Sequence, residues 1–374
     1  MVVDKAKLHI AILGSRGIPN RYGGFEQLAT ALALRLKEAG HRVSVYTPHH
    51  HPVKERKWKG VHRILCFDPE PWAGPAGHFL YDLFCILDSR RRSFDVILHL
   101  GYTTSALWFP LHLNKHTLIT NMDGLEWSRS KYPSLIRAFL RWSEARALKY
   151  SSALIADSGV IRSYLSSRHN CTPAMIAYGA DIPAPDEQDM KWLESMGLRA
   201  GGYDLGIARF QEDNHLEMIL NGWEKSAPRH PLVMVGNADT RFGKHLRRKF
   251  ENKGAMFPGS IYDADKLRAL RMHSRMYFHG HSAGGTNPSL LEAMAAGALV
   301  CAHDNAFNHE VLENNALYFK TEDDICSYLN AFPSDWPASA WQKKNLERIR
   351  QHYNWDRIAA QYLELMEKYG YKPF

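Results

Sequence analysis

The chain has 374 residues, which suits two domains better than one. Hydrophobic residues make up 45% and charged residues 23%, as in ordinary soluble proteins. No run of 18 uncharged apolar residues and no cleavage-site pattern occurs, so neither a spanning helix nor a signal peptide is predicted. The five cysteines are scattered, which argues against a zinc site or disulfide framework and for a reducing, cytoplasmic setting.

The net charge of +8 is unevenly distributed along the chain. Residues 1–180 hold 24 Lys and Arg against 13 Asp and Glu, a balance of +11, whereas the rest of the chain is at −3. This asymmetry predicts an anionic partner for the first half, such as nucleic acid, a phosphorylated substrate or an acidic membrane surface. A solvated basic face without a partner is the alternative.

Strand and helix patterns alternate through the first half. We predict strands at 8–14, 42–47, 95–101, 117–120 and 153–158, with helices at 23–41 and 136–152. Alternation of this kind indicates a parallel sheet covered by helices on both faces, and the first domain is predicted to span residues 1–178.

Residues 179–202 are rich in Pro, Gly and Asp and are predicted to form a linker. The alternation then restarts, with strands at 203–209, 231–237, 255–260, 276–280 and 299–304 and helices at 215–226, 244–254, 264–274 and 288–297. The sequence therefore predicts a second α/β domain over residues 203–352. Two doubly wound domains facing each other would form a central cleft lined by loops at the carboxyl ends of their strands.

The stretch HGHSAGGTNPSLLEAMAAG, residues 279–297, joins a strand to a helix at that edge. Asn287 suits the N-cap and Pro288 the first helical turn. Gly284 and Gly285 permit a positive φ and close ligand approach, and the helix end favours a phosphate. Glu292, one turn inside the helix, is placed to accept hydrogen bonds from sugar hydroxyls. A glycine-rich turn without a ligand would give the same pattern.

Three further positions are candidates for ligand contacts. Gly23 and Gly24 lie at the start of the first helix, where the lack of side chains lets an anion or a sugar approach the backbone. The spacing of the glycines lacks the dinucleotide-binding fingerprint, so an NAD enzyme is disfavoured. Arg209 ends the first strand of the second domain and can bind a phosphate. Asn121 and Asp123 follow a first-domain strand, and Asp123 can orient a hydroxyl or act as a base. Tight turns and a surface arginine explain these residues equally well.

Two patterns that resemble metal sites are given a structural interpretation. The consecutive His49, His50 and His51 cannot chelate one metal together, and we predict a solvated loop. Asp263 and Asp265 resemble a metal-binding D-x-D motif, but they precede a helix and are predicted as an N-cap and a first-turn acid. No metal site is therefore predicted.

The segment GGTNPSLLEAMAAG and the arginine in IAR (Arg209) resemble the retaining glycosyltransferases of family 4, which have the GT-B fold. GSRGIPNRYGGFEQLA and NMDGLEWSRSKY are similar to a bacterial subgroup of rhamnosyltransferases in surface-polysaccharide assembly. The ending, residues 353–374, resembles the final family helix that returns to the first domain. The resemblance covers nearly the whole chain and implies a hexosyltransferase that uses a nucleotide diphosphate sugar.

The resemblance also implies roles for individual residues. Arg209 would bind the diphosphate, Glu292 the pentose hydroxyls, and the loop from Gly284 the sugar and phosphates. On this basis the donor-binding residues are Gly23, Gly24, Arg209, Asn214, Gly284, Gly285, Thr286, Asn287, Ser289 and Glu292. The acceptor-side residues are Asn121, Asp123 and Glu126, and the catalytic ones are Arg209, Glu292 and Asp123.

Two departures from the family pattern affect the donor. Gly284 stands where family 4 usually has its first glutamate, and the usual lysine after the arginine is replaced near Asn214. Both changes fit a deoxysugar donor such as dTDP-rhamnose, while UDP- and GDP-sugars stay open as alternatives. The resemblance implies a same-face mechanism in which the leaving diphosphate accepts the acceptor proton, without a cofactor or metal.

The basic first half is expected to face a saccharide or a lipid diphosphate-linked acceptor, peripheral to the inner face of a membrane. Aromatic and basic residues suited to an anionic membrane interface alternate there: Trp58, Trp72, Phe79, Phe84 and Trp142 among Lys54, Arg56, Lys57, Lys59, Arg90, Arg91, Arg92, Arg137 and Arg141. A nucleic-acid-binding protein is disfavoured because no binding module is recognisable. A GT-B sugar-nucleotide epimerase is the alternative among enzymes.

Overall fold

The structure is a computed structural model that describes residues 7–21, 23–112, 116–122, 124–128, 132–331 and 337–370. The chain folds as two compact units. One comprises Met1–Tyr178 together with Trp355–Phe374, and the other comprises Gly179–Asn354. Each unit is built around its own parallel sheet, as the alternation of strands and helices predicts.

The first unit contains an eight-stranded sheet in the order β3-β4-β2-β1-β5-β6-β7-β8. Its central strands are apolar on both faces because helices cover both. All pairs are parallel except β3 with β4. The strands are His9–Leu13 (β1), Arg42–Pro48 (β2), Lys57–Trp58 (β3), Val61–Cys66 (β4), Val96–Leu100 (β5), Thr117–Asn121 (β6), Ala153–Ala156 (β7) and Ala174–Met175 (β8).

Helices join these strands. They are Gly24–Glu38 (α1), Glu70–Ala73 (α2), Gly77–Ser89 (α3), Ser134–Tyr150 (α4) and Gly159–His169 (α5). Among the elements not predicted from the sequence are β4 and α3. Helix α3 buries Tyr81, Cys85 and Ile86, yet its outer face is also apolar, so the helix lacks the polar stripe by which a surface helix is recognised.

The second unit contains a six-stranded parallel sheet in the order β11-β10-β9-β12-β13-β14. Alternate residues of β10 pack on opposite faces: Leu232 and Met234 join one core cluster, and Val233 and Val235 join the other. The strands are Asp204–Ile207 (β9), Leu232–Val235 (β10), Met256–Gly259 (β11), Met276–His279 (β12), Val300–His303 (β13) and Leu317–Phe319 (β14).

The helices of the second unit cover both faces of this sheet. They are Gln188–Ser195 (α6), Leu216–Lys225 (α7), Arg241–Phe250 (α8), Ala264–His273 (α9), Pro288–Ala295 (α10), Ala306–Leu312 (α11), Glu322–Asn330 (α12) and Ala338–Arg348 (α13). Side chains of α6, α9 and α10 share one core cluster, and side chains of α7, α8 and α12 share the other. The segment 179–202, predicted as a linker, lies within this unit and contains α6.

The last helix, Trp355–Gly370 (α14), belongs to the first unit. Arg35 of α1 donates to Asp356 at 2.7 Å, and Thr117 of β6 donates to the carbonyl of Tyr369 at 2.8 Å. These contacts join the end of the chain to the first sheet across more than 200 positions. Within the described ranges, no helix combines the length and apolar character needed to cross a bilayer.

Candidate nucleotide-sugar site

The second sheet changes its direction of progression between its two central strands, β9 and β12. From β9 the chain proceeds outward to β10 and β11, whereas from β12 it proceeds to β13 and β14. At such a switch point neighbouring loops separate and leave a crevice beyond the carboxyl ends of the strands. The loops at this position are residues 208–215, which include Arg209, and residues 280–287, which include Gly284.

Hydrogen bonds hold these two loops together. The Ser282 hydroxyl donates to the carbonyl of Asp213 at 3.0 Å, and Nδ1 of His215 lies 2.8 Å from the carbonyl oxygen of Gly280. A Cβ atom on Gly280 would lie 2.1 Å from the carbonyl oxygen of Asn214, so only glycine permits this approach. The structure thus places the loop of Arg209 directly beside the loop of Gly284.

Arg209 is exposed, and its backbone is fixed by a neighbour. The Asn214 side-chain amide donates to the carbonyl of Arg209 at 2.7 Å, and Asn214 itself is buried. The guanidinium therefore stands on an anchored turn, the arrangement that a fixed anion-binding group needs. Asn214, predicted to contact the donor, uses its amide to shape this turn, and its contact with a donor stays a prediction.

The predicted cap of α10 is confirmed. Oδ1 of Asn287 accepts the amide of Ser289 at 2.9 Å, and Pro288 is the first helical residue. Gly284 has a φ of +123°, which glycine tolerates, and no atom lies within 4 Å of where its Cβ would be. Thr286 is buried. The loop therefore ends in a capped helix whose positive end favours an anion.

Glu292 is held by an arginine that is not among the predicted site residues. Its carboxylate forms an ion pair with Arg271 of α9, whose side chain is 7% exposed, while Glu292 is 30% exposed. The hydroxyl of Tyr277 lies 2.7 Å from that of Ser289, which Arg271 also approaches at 3.5 Å. This network fixes the carboxylate of Glu292 and leaves part of it accessible to a ligand.

The loop after β13 fixes the other side of residues 280–287. The side-chain amides of Asn305 and Asn308 both donate to the carbonyl of His281, at 3.1 and 3.2 Å. Asn305 also caps α11. The loop after β12 is therefore hydrogen-bonded both to the loop after β9 and to the loop after β13.

Four histidines lie among these loops in two stacked pairs. His215 stacks on His303 with ring centroids 4.0 Å apart, and His279 stacks on His281 at 4.5 Å. Burial lowers the pKa of His279, and burial together with His215 lowers the pKa of His303 to about 4. His279 and His303 are thus neutral at physiological pH. The tripeptide HGH, residues 279–281, is the sequence signal for the second pair.

In the glycine loop of the first unit, a carboxylate lies at the helix end where an anion is predicted to bind. Gly23 is the N-cap of α1, but the buried Glu26 accepts the amide of Arg16 at 2.6 Å, and its carboxylate lies beside Gly23. Burial raises the pKa of Glu26. A phosphate bound at Gly23 and Gly24 would have to displace this carboxylate, and such binding stays a prediction.

The predicted acceptor-side residues lie around the end of β6. Asn121 is fully buried, and its amide donates to the hydroxyl of Tyr362 on α14 at 3.0 Å. Acceptor contact would require Asn121 to leave that bond. Asp123 lies outside the described residues. Glu126 is half-buried in a single helical turn next to Trp127, whose indole donates to the buried Glu144 at 3.1 Å.

Of the two metal-like patterns, one prediction is confirmed and one is partly wrong. Oδ1 of Asp263 accepts the amides of Asp265 and Lys266, as an N-cap does. The histidine run is not a solvated loop throughout, because His51 is buried and its Nδ1 lies 2.9 Å from the guanidinium of Arg63. Within the described part of the chain, no three His, Cys, Asp or Glu side chains are arranged to hold a metal ion.

Comparison with known proteins yields one family model and many similar structures. The model of a domain of unknown function, DUF1972, matches residues 7–181. No curated protein matches the chain. The structure of sucrose-phosphate synthase from Thermosynechococcus elongatus is similar with a TM-score of 0.81 and 17% identity, covering 97% of this chain and 99% of the other.

Two further structures are similar over almost their full lengths. Anabaena HepE in complex with UDP-glucose has a TM-score of 0.77 and 16% identity, with 96% of this chain and 100% of that chain covered. The catalytic domain of starch synthase IV from Arabidopsis thaliana, bound to ADP and acarbose, has a TM-score of 0.73 and 13% identity, with 98% and 100% covered. At these identities the likeness establishes the architecture: the chain has the GT-B fold.

Proposed function

We propose that the protein is a glycosyltransferase that moves a sugar from a nucleotide diphosphate donor to a saccharide or lipid diphosphate-linked saccharide. The observation that carries the proposal is the switch point of the second sheet. There the loop that carries an exposed arginine on an anchored turn is hydrogen-bonded, through its residues 213 and 215, to a glycine-containing segment that ends in a capped helix. Similar structures of other proteins, one in complex with UDP-glucose and one bound to ADP, support a nucleotide as the ligand.

The chemistry of each group suits one part of the donor. The guanidinium of Arg209 and the positive end of α10 would bind the diphosphate and stabilise its charge as the sugar leaves. Glu292, oriented by Arg271, would accept hydrogen bonds from the pentose hydroxyls. Gly284 and its neighbours would form the floor under the sugar, where the open space at Gly284 admits a ligand close to the backbone.

We further propose family 4 chemistry with retention of configuration. The leaving diphosphate would take the proton of the acceptor hydroxyl on the same face, and Asp123 would orient that hydroxyl. Fixed positive groups would perform the charge stabilisation for which other transferases use a divalent cation. The absence of a glutamate at position 284 supports a deoxysugar, and dTDP-rhamnose is the donor we propose. The protein would work in the cytoplasm, at a membrane when the acceptor is lipid-linked.

The test is a product analysis with a panel of dTDP-, UDP- and GDP-sugars, each with and without saccharide acceptors. Release of free nucleoside diphosphate together with a glycosylated acceptor is the expected result. Formation of an isomeric sugar nucleotide without any acceptor would show the epimerase instead. No turnover of any sugar nucleotide, by a protein that also binds none of them, would refute both activities.

A further inference from the structure

Helix α3 exposes an apolar face in addition to the one it buries. Leu80, Phe84 and Leu87, spaced four and three residues apart, are exposed on one side of the helix. Phe67 packs against Phe84 and Trp72 with ring centroids 5.8 Å away in each case, and Trp72 is 73% exposed. These five residues form what we call the α3 surface. Soluble proteins seldom expose so many large apolar side chains together without a function for them.

Helix α4 continues this apolar region. Leu135 is 81% exposed, Ile136 and Trp142 are exposed, and we call these three residues the α4 surface. Phe139, between them in the sequence, packs against Trp142 at 5.6 Å and against Phe79 of α3 at 5.8 Å. The aromatic contact of Phe79 with Phe139 thus joins the two helices beside their exposed apolar residues.

Positive charge borders both surfaces. Arg91 is exposed just beyond the end of α3, and Lys54 donates to the carbonyl of His49, whose ring stacks on Phe67. On α4, Arg137 is exposed and the guanidinium of Arg146 lies 4.7 Å from the ring of Trp142.

The acidic residues on these helices are already occupied. Asp82 and Glu144 are buried, and Asp88 is paired with Arg92. The charge that borders the apolar side chains, from Arg91 and Lys54 beside α3 and from Arg137 and Arg146 on α4, is therefore positive.

We propose that the α3 and α4 surfaces dock the protein onto an anionic lipid bilayer. Apolar side chains would enter the boundary between head groups and acyl chains, and the bordering arginines and Lys54 would bind anionic head groups. The pairing of exposed Trp, Phe and Leu with cations is the chemistry of an interfacial anchor. The proposal extends the proposed function, which names a lipid-linked acceptor but no membrane-contacting residues.

Vesicle flotation of the full chain tests the proposal without any nucleotide. Wild-type protein should float with vesicles of equimolar phosphatidylcholine and phosphatidylglycerol, and much less with phosphatidylcholine alone. The double variant Trp72→Ser/Leu135→Ser should bind at least tenfold less. Replacing Arg91 or Arg137 with Gln should weaken binding about fivefold each, equivalent to about 1 kcal/mol per charge. Tyr262→Ser, which removes an exposed aromatic of the second unit, is the matched control and should bind like wild type.

Three outcomes would overturn the proposal: no flotation of wild type with anionic vesicles, equal flotation with both vesicle types, or unchanged flotation of the double variant. Sedimentation velocity on the same samples identifies the competing occupant. If the wild-type protein is a dimer, the double substitution dissociates it and neither protein binds vesicles, the surface belongs to a second copy of the chain. Since flotation requires no donor, and nucleotide binding requires no vesicle, failure of this proposal is distinguishable from failure of the proposed function.

Discussion

The ion pair between Arg271 and Glu292 predicts an asymmetric response to mutation. Arg271 is almost completely buried, whereas Glu292 keeps 30% of its side chain in solvent. Glu292→Ala leaves a buried guanidinium without its counter-ion, which costs about 3 kcal/mol, the lower end of the range for broken buried pairs. Arg271→Met removes the buried charge and leaves a carboxylate that water can reach. We therefore expect the free energy of unfolding to fall by only about 1 kcal/mol.

Calorimetric unfolding of both single variants and the double variant measures these values and their coupling. Because the chain has two units, the transition of the second unit must be resolved from that of the first. We expect a coupling energy of about 1–3 kcal/mol, as found for contacting residues. Glu251→Ala, which breaks an exposed pair with Arg247, is the control and should change stability by less than about 0.5 kcal/mol.

A coupling energy near zero, or equal losses of unfolding free energy in the two single variants, would refute the interpretation that Arg271 orients Glu292. A second consequence concerns ligand binding. Arg271→Met should weaken nucleotide binding although Arg271 is buried, because the carboxylate of Glu292 then loses its fixed orientation.

Two other predictions concern residues at the switch point and on the neighbouring strand β13. Gly280→Ala should lower the unfolding temperature and weaken nucleotide binding more than Gly284→Ala, since only the first Cβ meets a backbone atom, the carbonyl oxygen of Asn214. The folded-state pKa of His303, about 4, lies below the unfolded value of about 6.5, so its contribution to stability is present above pH 6.5 and lost as the pH falls toward 4. Unfolding temperatures measured from pH 7.5 to 5 should therefore fall less steeply in His303→Gln than in wild type; equal slopes would contradict this.

Features with local causes were predictable from the sequence. The central strands carry continuous apolar runs, and the cap of α10 depends on two neighbouring residues, Asn287 and Pro288. These suffice to predict two parallel sheets in series and the position of the main candidate loop. Helix α3 was missed for a physical reason, because its exposed leucines and Phe84 erase the contrast between inner and outer faces.

Features that depend on tertiary contacts were not predictable. Asn121 ends a strand and is predicted from that position to face an acceptor, but it is buried and its amide donates to the hydroxyl of Tyr362, more than 200 positions away. Arg271 belongs to a helix that carries four basic residues, and no sequence pattern shows that its guanidinium meets Glu292 on the next helix. The carboxylate of Glu26 likewise occupies the end of α1 that appeared open from its glycines.

The central claim is that the switch point of the second sheet binds a nucleotide diphosphate through Arg209. Isothermal titration of nucleoside diphosphates into wild type and Arg209→Ala measures this directly, with Arg229→Ala, an exposed arginine preceding β10 at the opposite edge of the sheet, as control. Loss of charge-assisted hydrogen bonds worth about 1.5–3 kcal/mol should raise the Kd about ten- to a hundredfold in Arg209→Ala and leave it unchanged in Arg229→Ala. An unchanged Kd in Arg209→Ala, or no binding by the wild-type protein, would contradict the claim.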